Sequence, residues 1–535
     1  MNTARELDRL EAIIDTAGVA RAIELLLPVG VRPRQLPVRT LLLGMLLTAV
    51  DGRPARLVRA HRALMSLPRE DRWRLGVLTT WKTGVHPLTY RQVERTFMLL
   101  AGALSKDKPD GTPSQLLSET LDALLEASVQ VLGEPDSGSY AVDWTDLQTF
   151  SRPPPRKRDH PDDVNPATQP GDATQPGDTT QPGDTQQPVS EPEKRCADPE
   201  AAWGHRTVTH PAHSDMFYGY YLQAVTAVKD EHGPAVPELV RRIHIAACDH
   251  DPPPALVPVL ERMHQDGITL TDILADSGYA YRVAASWALP IRALHANLIV
   301  DLHPNDRGPQ GTHMGATQSN GALYCPATPT TLLQIAPLHP AATSEQTATH
   351  DQQTRERSRY KLSAITSHDP DGYHRVICPA VQHKIRCPLR PASMTLPHDH
   401  PTILKAPEHP PACCTQKTIT VPPTVNAKTA QKHDYPSAEH RRSYSRRSAV
   451  ERTYSTIKDP ATTNISRGWC RIMGLTGIAL LTATVMIARN IRIQDAHTTR
   501  QAENQRRANN GLPPKQRKRR RQTTTDLIHT TTTPP

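Results

Sequence analysis

The sequence is poor in aromatic residues and in long hydrophobic segments. Aromatic side chains make up 4% of the 535 residues, with only three phenylalanines, and the hydrophobic fraction is 37%. The one extended apolar run, residues 472–488, contains three threonines and is flanked by Arg471 and Arg489. A membrane-spanning helix needs about 20 apolar residues. We therefore interpret this run as a buried helix and expect no membrane association.

Cysteine is also scarce for a chain of this length. Eight cysteines among 535 residues do not make a disulfide framework. Residues 1–15 are charged and lack the apolar core of a signal peptide. We therefore expect reduced thiols and a cytoplasmic, nucleoid-associated location.

Proline and positive charge are abundant instead. The chain has 51 prolines, about twice the usual share, and its net charge is +9 with a pI of about 9.1. The length allows two or three domains, so the sequence indicates folded cores interrupted by irregular segments. The charge favours a polyanionic partner such as nucleic acid.

Hydrophobic periodicity divides the chain into an N-terminal helical part and an α/β part. Residues 1–132 read as helices, with start signals at Thr89–Gln92 and at Ser114. Arginines cluster between positions 53 and 74, which suits a DNA-binding domain, although a solvated helical bundle would carry the same residues. Residues 133–152 and 196–280 alternate strand-like and helical patterns, and residues 436–495 complete this α/β domain.

Three further segments have unusual composition. Residues 153–195 contain a six-residue repeat beginning at Gln169, Gln175 and Gln181, with little apolar content, which predicts a disordered insert. Residues 281–435, rich in proline, histidine and threonine, predict a β-rich insertion. Residues 496–535 predict a disordered basic tail, because Lys515 and Arg517 open a run of like charges that would bind a phosphate polymer.

Four polar residues near the C-terminus share one helical stripe. Tyr444, Arg447, Glu451 and Lys458 fall within an arc of about 60° on a helix predicted over residues 437–458. Two cations, a carboxylate and a phenol make a poor core face but suit a metal ion and a phosphate backbone. Glu451 in an ordinary salt bridge with Arg447 is the plainer alternative.

Two upstream aspartates follow apolar strands and complete an acidic set. Asp143 and Asp276 lie on different predicted elements from Glu451, and a mixed sheet could bring all three together. Asp146 competes with Asp143, and Asp272 competes with Asp276. Three carboxylates at one point need a cation, and oxygen ligands favour Mg²⁺ or Mn²⁺, here as two ions.

With these residues in place, the chain resembles the DDE transposases of bacterial insertion sequences. Their signature Tyr-x₂-Arg-x₃-Glu-x₆-Lys matches Tyr444, Arg447, Glu451 and Lys458, and their aspartate motifs resemble residues 143–145 and 276–279. The resemblance covers residues 139–490 and implies an α/β, ribonuclease-H-like catalytic fold with a β-rich insertion.

The resemblance also implies an activity. Such an enzyme binds the terminal inverted repeats of its element, cuts at the ends and joins them to target DNA by transesterification. The three carboxylates would hold the metals, and Tyr444, Arg447 and Lys458 would contact DNA. We expect a homodimer, because two ends must be held together. A nuclease of the same fold and a non-catalytic DNA-binding derivative are the alternatives.

The insertion holds five cysteines: Cys325, Cys378, Cys387, Cys413 and Cys414. A structural zinc ion is one interpretation, because small β-rich segments often need a metal to fold. The insertion has no CxxC pair and two of the cysteines are adjacent. These features favour buried, metal-free thiols.

Overall fold

The computed structural model describes residues 3–28, 35–81, 84–107, 110–133, 137–154, 196–206 and 215–515. It is a mixed α/β structure in which helices surround one six-stranded mixed sheet. Residues 155–195, with the predicted repeat insert, and the basic run at 517–521 lie outside the described residues.

The N-terminal part is helical, as predicted, with one added hairpin. Its helices and strands are α1 (Thr3–Ala17), α2 (Val19–Leu26), α3 (Val38–Val50), α4 (Leu57–Met65), α5 (Arg69–Arg74), β1 (Leu78–Trp81), β2 (Gly84–Pro87), α6 (Tyr90–Leu104) and α7 (Gln115–Leu132). Thr89 and Gln92 form the predicted capping box of α6, and the Ser114 hydroxyl accepts a hydrogen bond from the Leu117 amide at the start of α7.

The central sheet is built by residues 139–300. Its elements are β3 (Ser139–Gln148), β4 (Ala202–His205), β5 (Met216–Val228), β6 (Val240–Ala247), α8 (Pro252–Gln265), β7 (Asp272–Ala275), α9 (Ser277–Ala280), α10 (Ala288–Ala293) and β8 (Asn297–Val300). The strand order is β4–β5–β3–β7–β8. Strand β6 also pairs with β5, along residues 220–226, next to the stretch 216–219 that pairs with β4. Strand β3 is antiparallel to β5 and parallel to β7, which is parallel to β8.

The insertion follows β8. It contains β9 (Pro309–His313), β10 (Ala316–Ser319), β11 (Ala322–Tyr324), α11 (Thr330–Leu333), α12 (Ser344–Arg359), β12 (Ser363–Ala364), β13 (His374–Ile377), α13 (Ala412–Thr415) and β14 (Thr418–Val421), with two three-stranded antiparallel sheets. The predicted start at residue 281 is wrong, because Asn297–Val300 pairs with β7 in the central sheet. We use the name insertion below for residues 301–435.

The chain returns to the sheet through α14 (Ala438–Tyr444), a 3₁₀ turn (Ser445–Arg447) and α15 (Ser448–Lys458). Ser437 caps α14, as predicted, by accepting a hydrogen bond from the His440 amide at 3.2 Å. The single helix predicted over 437–458 is therefore divided by a tighter turn, which ends at Arg447.

The last helix, α16 (Leu475–Asn509), corrects one prediction. Residues 496–509 are helical, so the disordered tail predicted from residue 496 is wrong for that stretch. By length and composition α16 could cross a membrane, but 89% of its most apolar window is buried inside the protein. It packs on α3, α7 and β6, as expected for a core helix, and this is compatible with a soluble protein.

One hydrophobic core joins the N-terminal helices to the sheet. It includes Leu42 of α3, Phe97 of α6, Tyr220 of β5 and Val485 of α16. The boundary predicted at residue 132 falls between α7 and β3, but the core is continuous across it. The other face of the sheet packs against α8 and α10 in a second core.

Candidate active site

The site begins with two aspartates on neighbouring parallel strands. Ala141 of β3 pairs with Leu274 of β7, so the register brings Asp143 level with Asp276 two residues further on. Asp276 ends its strand and caps α9, where its Oδ1 accepts hydrogen bonds from the amides of Gly278 at 2.9 Å and Tyr279 at 3.4 Å. The carboxylates predicted from the sequence therefore meet at one edge of the sheet.

Helix α15 brings the third acid to the same edge. It packs on β3 and β5, and the hydroxyl of Tyr454 donates to the backbone carbonyl of Asp143 at 2.6 Å. Thr453 and Thr226 make a second contact, at 3.2 Å between their hydroxyls. One turn earlier, Glu451 stands beside Asp143 with its side chain 53% exposed.

Arg447 connects two of the three acids. One guanidinium nitrogen lies 3.1 Å from Oδ2 of Asp143, and the other donates to Oε1 of Glu451. The guanidinium carbon stands 5.6 Å from the ring centre of Tyr444, in the range of a cation–π contact. The salt bridge between Glu451 and Arg447, weighed as the plainer alternative, is thus present, and it includes Asp143 as well.

The electrostatics of the site reflect this crowding of charge. Burial, with smaller contributions from Asp276 and Glu451, raises the pKa of Asp143 to about 7, although Arg447 and the Trp144 amide act in the opposite direction. Burial also raises the pKa of Asp276. Burial alone would lower the pKa of Arg447, but Tyr444 and the acids raise it above its ordinary value. The acids repel one another, and Arg447 is their internal counter-charge.

The carboxylate oxygens of the site suit a hard cation, but in this structure the three acids are not close enough together to bind one ion. Carboxylate oxygens are the ligands that Mg²⁺ prefers. Within the described ranges, no three histidine, cysteine, aspartate or glutamate groups are close enough to share one ion. Arg447 lies between Asp143 and Glu451, where a cation would otherwise balance them.

The competing aspartates have other partners. Asp146 accepts a hydrogen bond from Lys458 at 2.6 Å and one from Arg206 at 3.3 Å. Asp272, only 1% exposed, pairs with Arg446 at 2.8 Å and with Lys432 at 2.9 Å. Both are engaged in ion pairs away from the acidic edge.

The two remaining residues of the stripe also lie along β3. Tyr444 is half-buried and its ring stacks on that of His440, with centroids 5.6 Å apart. Lys458 donates to the Thr145 hydroxyl at 2.6 Å as well as to Asp146. The stripe therefore faces the strand that carries Asp143, and Lys458 stands near the far end of that strand.

Two residues that sequence reasoning missed belong to this edge. Asp301 directly follows β8, accepts a hydrogen bond from the Tyr435 hydroxyl at 2.5 Å, and raises the pKa of Asp276 after the larger effect of burial. Its signal was an acid after the three apolar residues 298–300 of β8, the same pattern that marks Asp276. Tyr454 stands three residues after Glu451, a spacing that places both on neighbouring positions of one helix face.

Some arginines of the predicted DNA-binding part serve the fold. Arg74 pairs with Glu11 at 2.6 Å, and Arg56 donates to the Gly468 carbonyl at 3.4 Å. These two are therefore partly committed to contacts within the protein.

When the chain was compared with protein-family models, curated proteins and solved structures, no match was found.

Proposed function

We propose that the chain is a metal-dependent DNA transposase whose active site is the edge that carries Asp143, Asp276 and Glu451. One observation carries the proposal. Asp143, Asp276 and Glu451 are each more than a hundred residues from the next along the chain, yet they meet at one edge of the sheet. There, Asp276 and Glu451 add to the effect of burial and raise the pKa of Asp143. A perturbed carboxylate among other carboxylates is typical of functional sites.

The arrangement of the fold supports this proposal. A mixed sheet with acids at strand ends, and an acid-bearing helix packed on the strand between them, is compatible with the ribonuclease-H-like domain that the resemblance implies. The insertion between β8 and α14 stands between the second aspartate and the glutamate, where such enzymes often carry one.

Asp143, Asp276 and Glu451 would hold two divalent ions, either Mg²⁺ or Mn²⁺. When bound, such ions activate a water or a 3′-hydroxyl and stabilise the leaving oxygen of a phosphodiester. The chain's own contribution is the placement of the acids: Tyr454 fixes α15 against β3, and Asp276 is oriented by two amides. Binding of the ions requires the guanidinium of Arg447 to leave its position between Asp143 and Glu451.

Displaced from the acids, Arg447 would turn to phosphate oxygens beside them, for which its planar fork is suited. Lys458, about a third exposed, would contact a phosphate further along β3. The ring of Tyr444 contacts the Arg447 guanidinium and would help to position it. The proposed partners are the inverted-repeat ends and the target DNA, with two protein copies on paired ends.

The test uses the purified full chain and DNA that carries the inverted repeats flanking its gene. We expect Mg²⁺-dependent cleavage at the element ends and joining of the 3′-ends to a target plasmid. Glu451→Gln should abolish both reactions, with end binding retained. Glu439→Gln is the matched control, because Glu439 is an exposed acid about two turns before Arg447 that pairs with Arg442 at 3.5 Å.

The outcomes separate the alternatives. Cleavage without joining would favour the nuclease, and end binding without cleavage would favour the non-catalytic derivative. If Glu451→Gln cleaves as well as the unchanged chain, the assignment of Glu451 is wrong.

A further inference from the structure

The β1–β2 hairpin of the N-terminal part is anchored at its base. Val77 and Leu88, which flank the two strands, are buried, and the Leu88 amide donates to the Val77 carbonyl at 2.8 Å. Nε2 of His61 on α4 donates to the Leu88 carbonyl at 2.9 Å, and α5 packs against β1. Buried residues and two helices therefore fix the direction in which the hairpin points.

The far end of the hairpin carries two large apolar side chains on opposite faces. Val85 pairs with Thr80, which is two residues after Leu78 on β1. Because side chains alternate along a strand, Val85 shares a face with Leu78, and Trp81 is on the other face. Leu78 is buried, but Val85 is 51% exposed and Trp81 is 67% exposed. The hairpin therefore extends beyond the body of the protein, with apolar surface on both sides.

The segment around the hairpin is strongly basic. Residues 53–95 contain ten lysines and arginines and three acids, which gives this segment a net charge of +7, compared with +9 for the whole chain. Four of its arginines are exposed and form no salt bridge with any residue that the structure describes: Arg62, Arg69, Arg91 and Arg95. Positive charge that is not balanced within the protein attracts a polyanion.

These four arginines lie on the helices that meet at the base of the hairpin. Arg62 is on α4, next to the residue that bonds to the Leu88 carbonyl, and Arg69 is on α5, which packs on β1. Arg91 and Arg95 are on α6, which begins three residues after β2 ends. A partner that receives the apolar end of the hairpin would therefore meet positive charge beside it. Duplex DNA has this form, with base edges inside a groove and phosphates along its rims.

We propose that the β1–β2 hairpin enters the major groove of the element-end DNA, with Trp81 and Val85 against base edges and the four arginines on phosphates. The choice of this duplex rests on the proposed function. A two-stranded ribbon with side chains on both faces is about 10 Å thick, which is the spacing of packed sheets. The major groove, about 12 Å wide, admits such a ribbon, whereas the minor groove is only about 6 Å wide.

The first test measures binding of the full chain, without divalent ions, to a labelled duplex that carries one inverted repeat from beside its gene. A scrambled duplex of the same length is the reference. Trp81→Ala should weaken end binding by roughly tenfold or more and leave binding to the scrambled duplex almost unchanged, because base contacts carry the sequence preference. Tyr373→Ala is the matched control, because Tyr373 is an exposed aromatic residue in the insertion, and it should change neither affinity.

Arg91→Gln should behave differently from Trp81→Ala. A phosphate contact is the same on every sequence, so this variant should weaken binding to both duplexes by the same factor. It should also reduce the slope of log affinity against log salt concentration by about 1. A reduced preference for the end with an unchanged salt slope would contradict the phosphate role of Arg91.

The second test identifies the groove. Dimethyl sulfate methylates guanine N7, which faces the major groove, and adenine N3, which faces the minor groove. On end DNA, the unchanged chain should protect guanine N7 positions that Trp81→Ala leaves open. Urea unfolding of the two proteins should coincide, because Trp81 is largely exposed, so a lost footprint is not a loss of folding.

The possible outcomes separate this proposal from the proposed function. Equal preference for end DNA in Trp81→Ala and the unchanged chain would overturn the hairpin proposal, even if the chain cleaves DNA. Lost protection at adenine N3 alone would overturn it by placing the hairpin in the minor groove. A changed oligomeric state with unchanged DNA binding would overturn it in favour of contact with a second copy. End binding that depends on Trp81, without any cleavage, would support the hairpin proposal and contradict the transposase activity.

Discussion

Arg447 and Asp143 form an ion pair of 3.1 Å across 304 residues of sequence. The same guanidinium also reaches Glu451, so one cation balances two of the three acids at the sheet edge. In the proposed function, an incoming metal ion would therefore compete with Arg447 for the same carboxylates. This competition can be tested directly.

Arg447→Gln should lose stability in the absence of divalent ions and regain it with Mg²⁺. Removal of the counter-charge leaves partly buried acids unbalanced, at a cost of about 1–3 kcal/mol. Mg²⁺ should then raise the melting temperature of the variant more than that of the unchanged chain, measured by thermal unfolding. Arg452→Gln is the control, since Arg452 is on the same helix but pairs with Glu238. An equal response to Mg²⁺ in all three proteins would contradict the competition.

Asp143 predicts a pH dependence of stability. Its pKa is raised to about 7, above its value in the unfolded chain, so protonation favours the folded state. Its contribution is complete below about pH 4 and is lost as the pH rises through about 7. With divalent ions removed, Asp143→Asn should be more stable than the unchanged chain by roughly 2–4 kcal/mol near pH 8.

The measurement is urea unfolding of both proteins near pH 4 and near pH 8. The advantage of the variant should shrink toward zero at the lower pH, because Asp143 is then neutral in the folded state, as asparagine is, and its burial no longer carries the cost of a charge. An advantage that is the same at the two pH values would show that the raised pKa is not its cause.

Asp272 and Asp276 should separate stability from activity. Burial would raise the pKa of Asp272, but Arg446 and Lys432 hold it below its ordinary value. Breaking such a buried pair costs about 3–5 kcal/mol, so we expect Asp272→Asn to unfold at much lower urea. Asp276→Asn should keep its stability within about 1 kcal/mol and lose Mg²⁺-dependent cleavage. An Asp272→Asn protein as stable as the unchanged chain would contradict the structural role of Asp272. An Asp276→Asn protein that still cleaves DNA would contradict the catalytic role of Asp276.

Local sequence signals predicted much of this site. An apolar strand followed by an acid located Asp276, and the helical spacing from Tyr444 to Lys458 placed Arg447 and Glu451 on one side of their helix. These signals work because strand ends and helix faces are decided by a few neighbouring residues.

The ion-pair partners of these residues could not be predicted from the sequence in the same way. That Lys458 would bind Asp146, or that Asp272 would bind Arg446 174 residues away, depends on how distant elements pack. The strand Asn297–Val300 was assigned to the insertion for the same reason, since only its pairing with β7 shows that it belongs to the central sheet. The burial of Cys325, Cys378 and Cys387 in one core was hidden too, because it depends on how distant segments of the insertion pack together.

Asn490 ties α16 to the edge of the central sheet and gives the last prediction. Its side-chain amide donates to the Val240 carbonyl at 2.8 Å and to the Ser128 hydroxyl at 3.1 Å, and its oxygen accepts from the Val240 amide at 2.8 Å. Asn490→Ala leaves both polar groups of Val240 buried without these bonds, which should lower the free energy of urea unfolding by about 2–4 kcal/mol.

The control for this prediction is Gln505→Ala, near the exposed end of the same helix, where the exposed side chain donates a hydrogen bond to Asn509. We expect a change below about 0.5 kcal/mol there. If α16 instead entered a membrane, its pairing with Val240 would be absent, and Asn490→Ala would favour insertion by removing a polar group from hydrocarbon. A variant as stable in solution as the unchanged chain, with more of it in the membrane fraction, would therefore contradict the core role of α16.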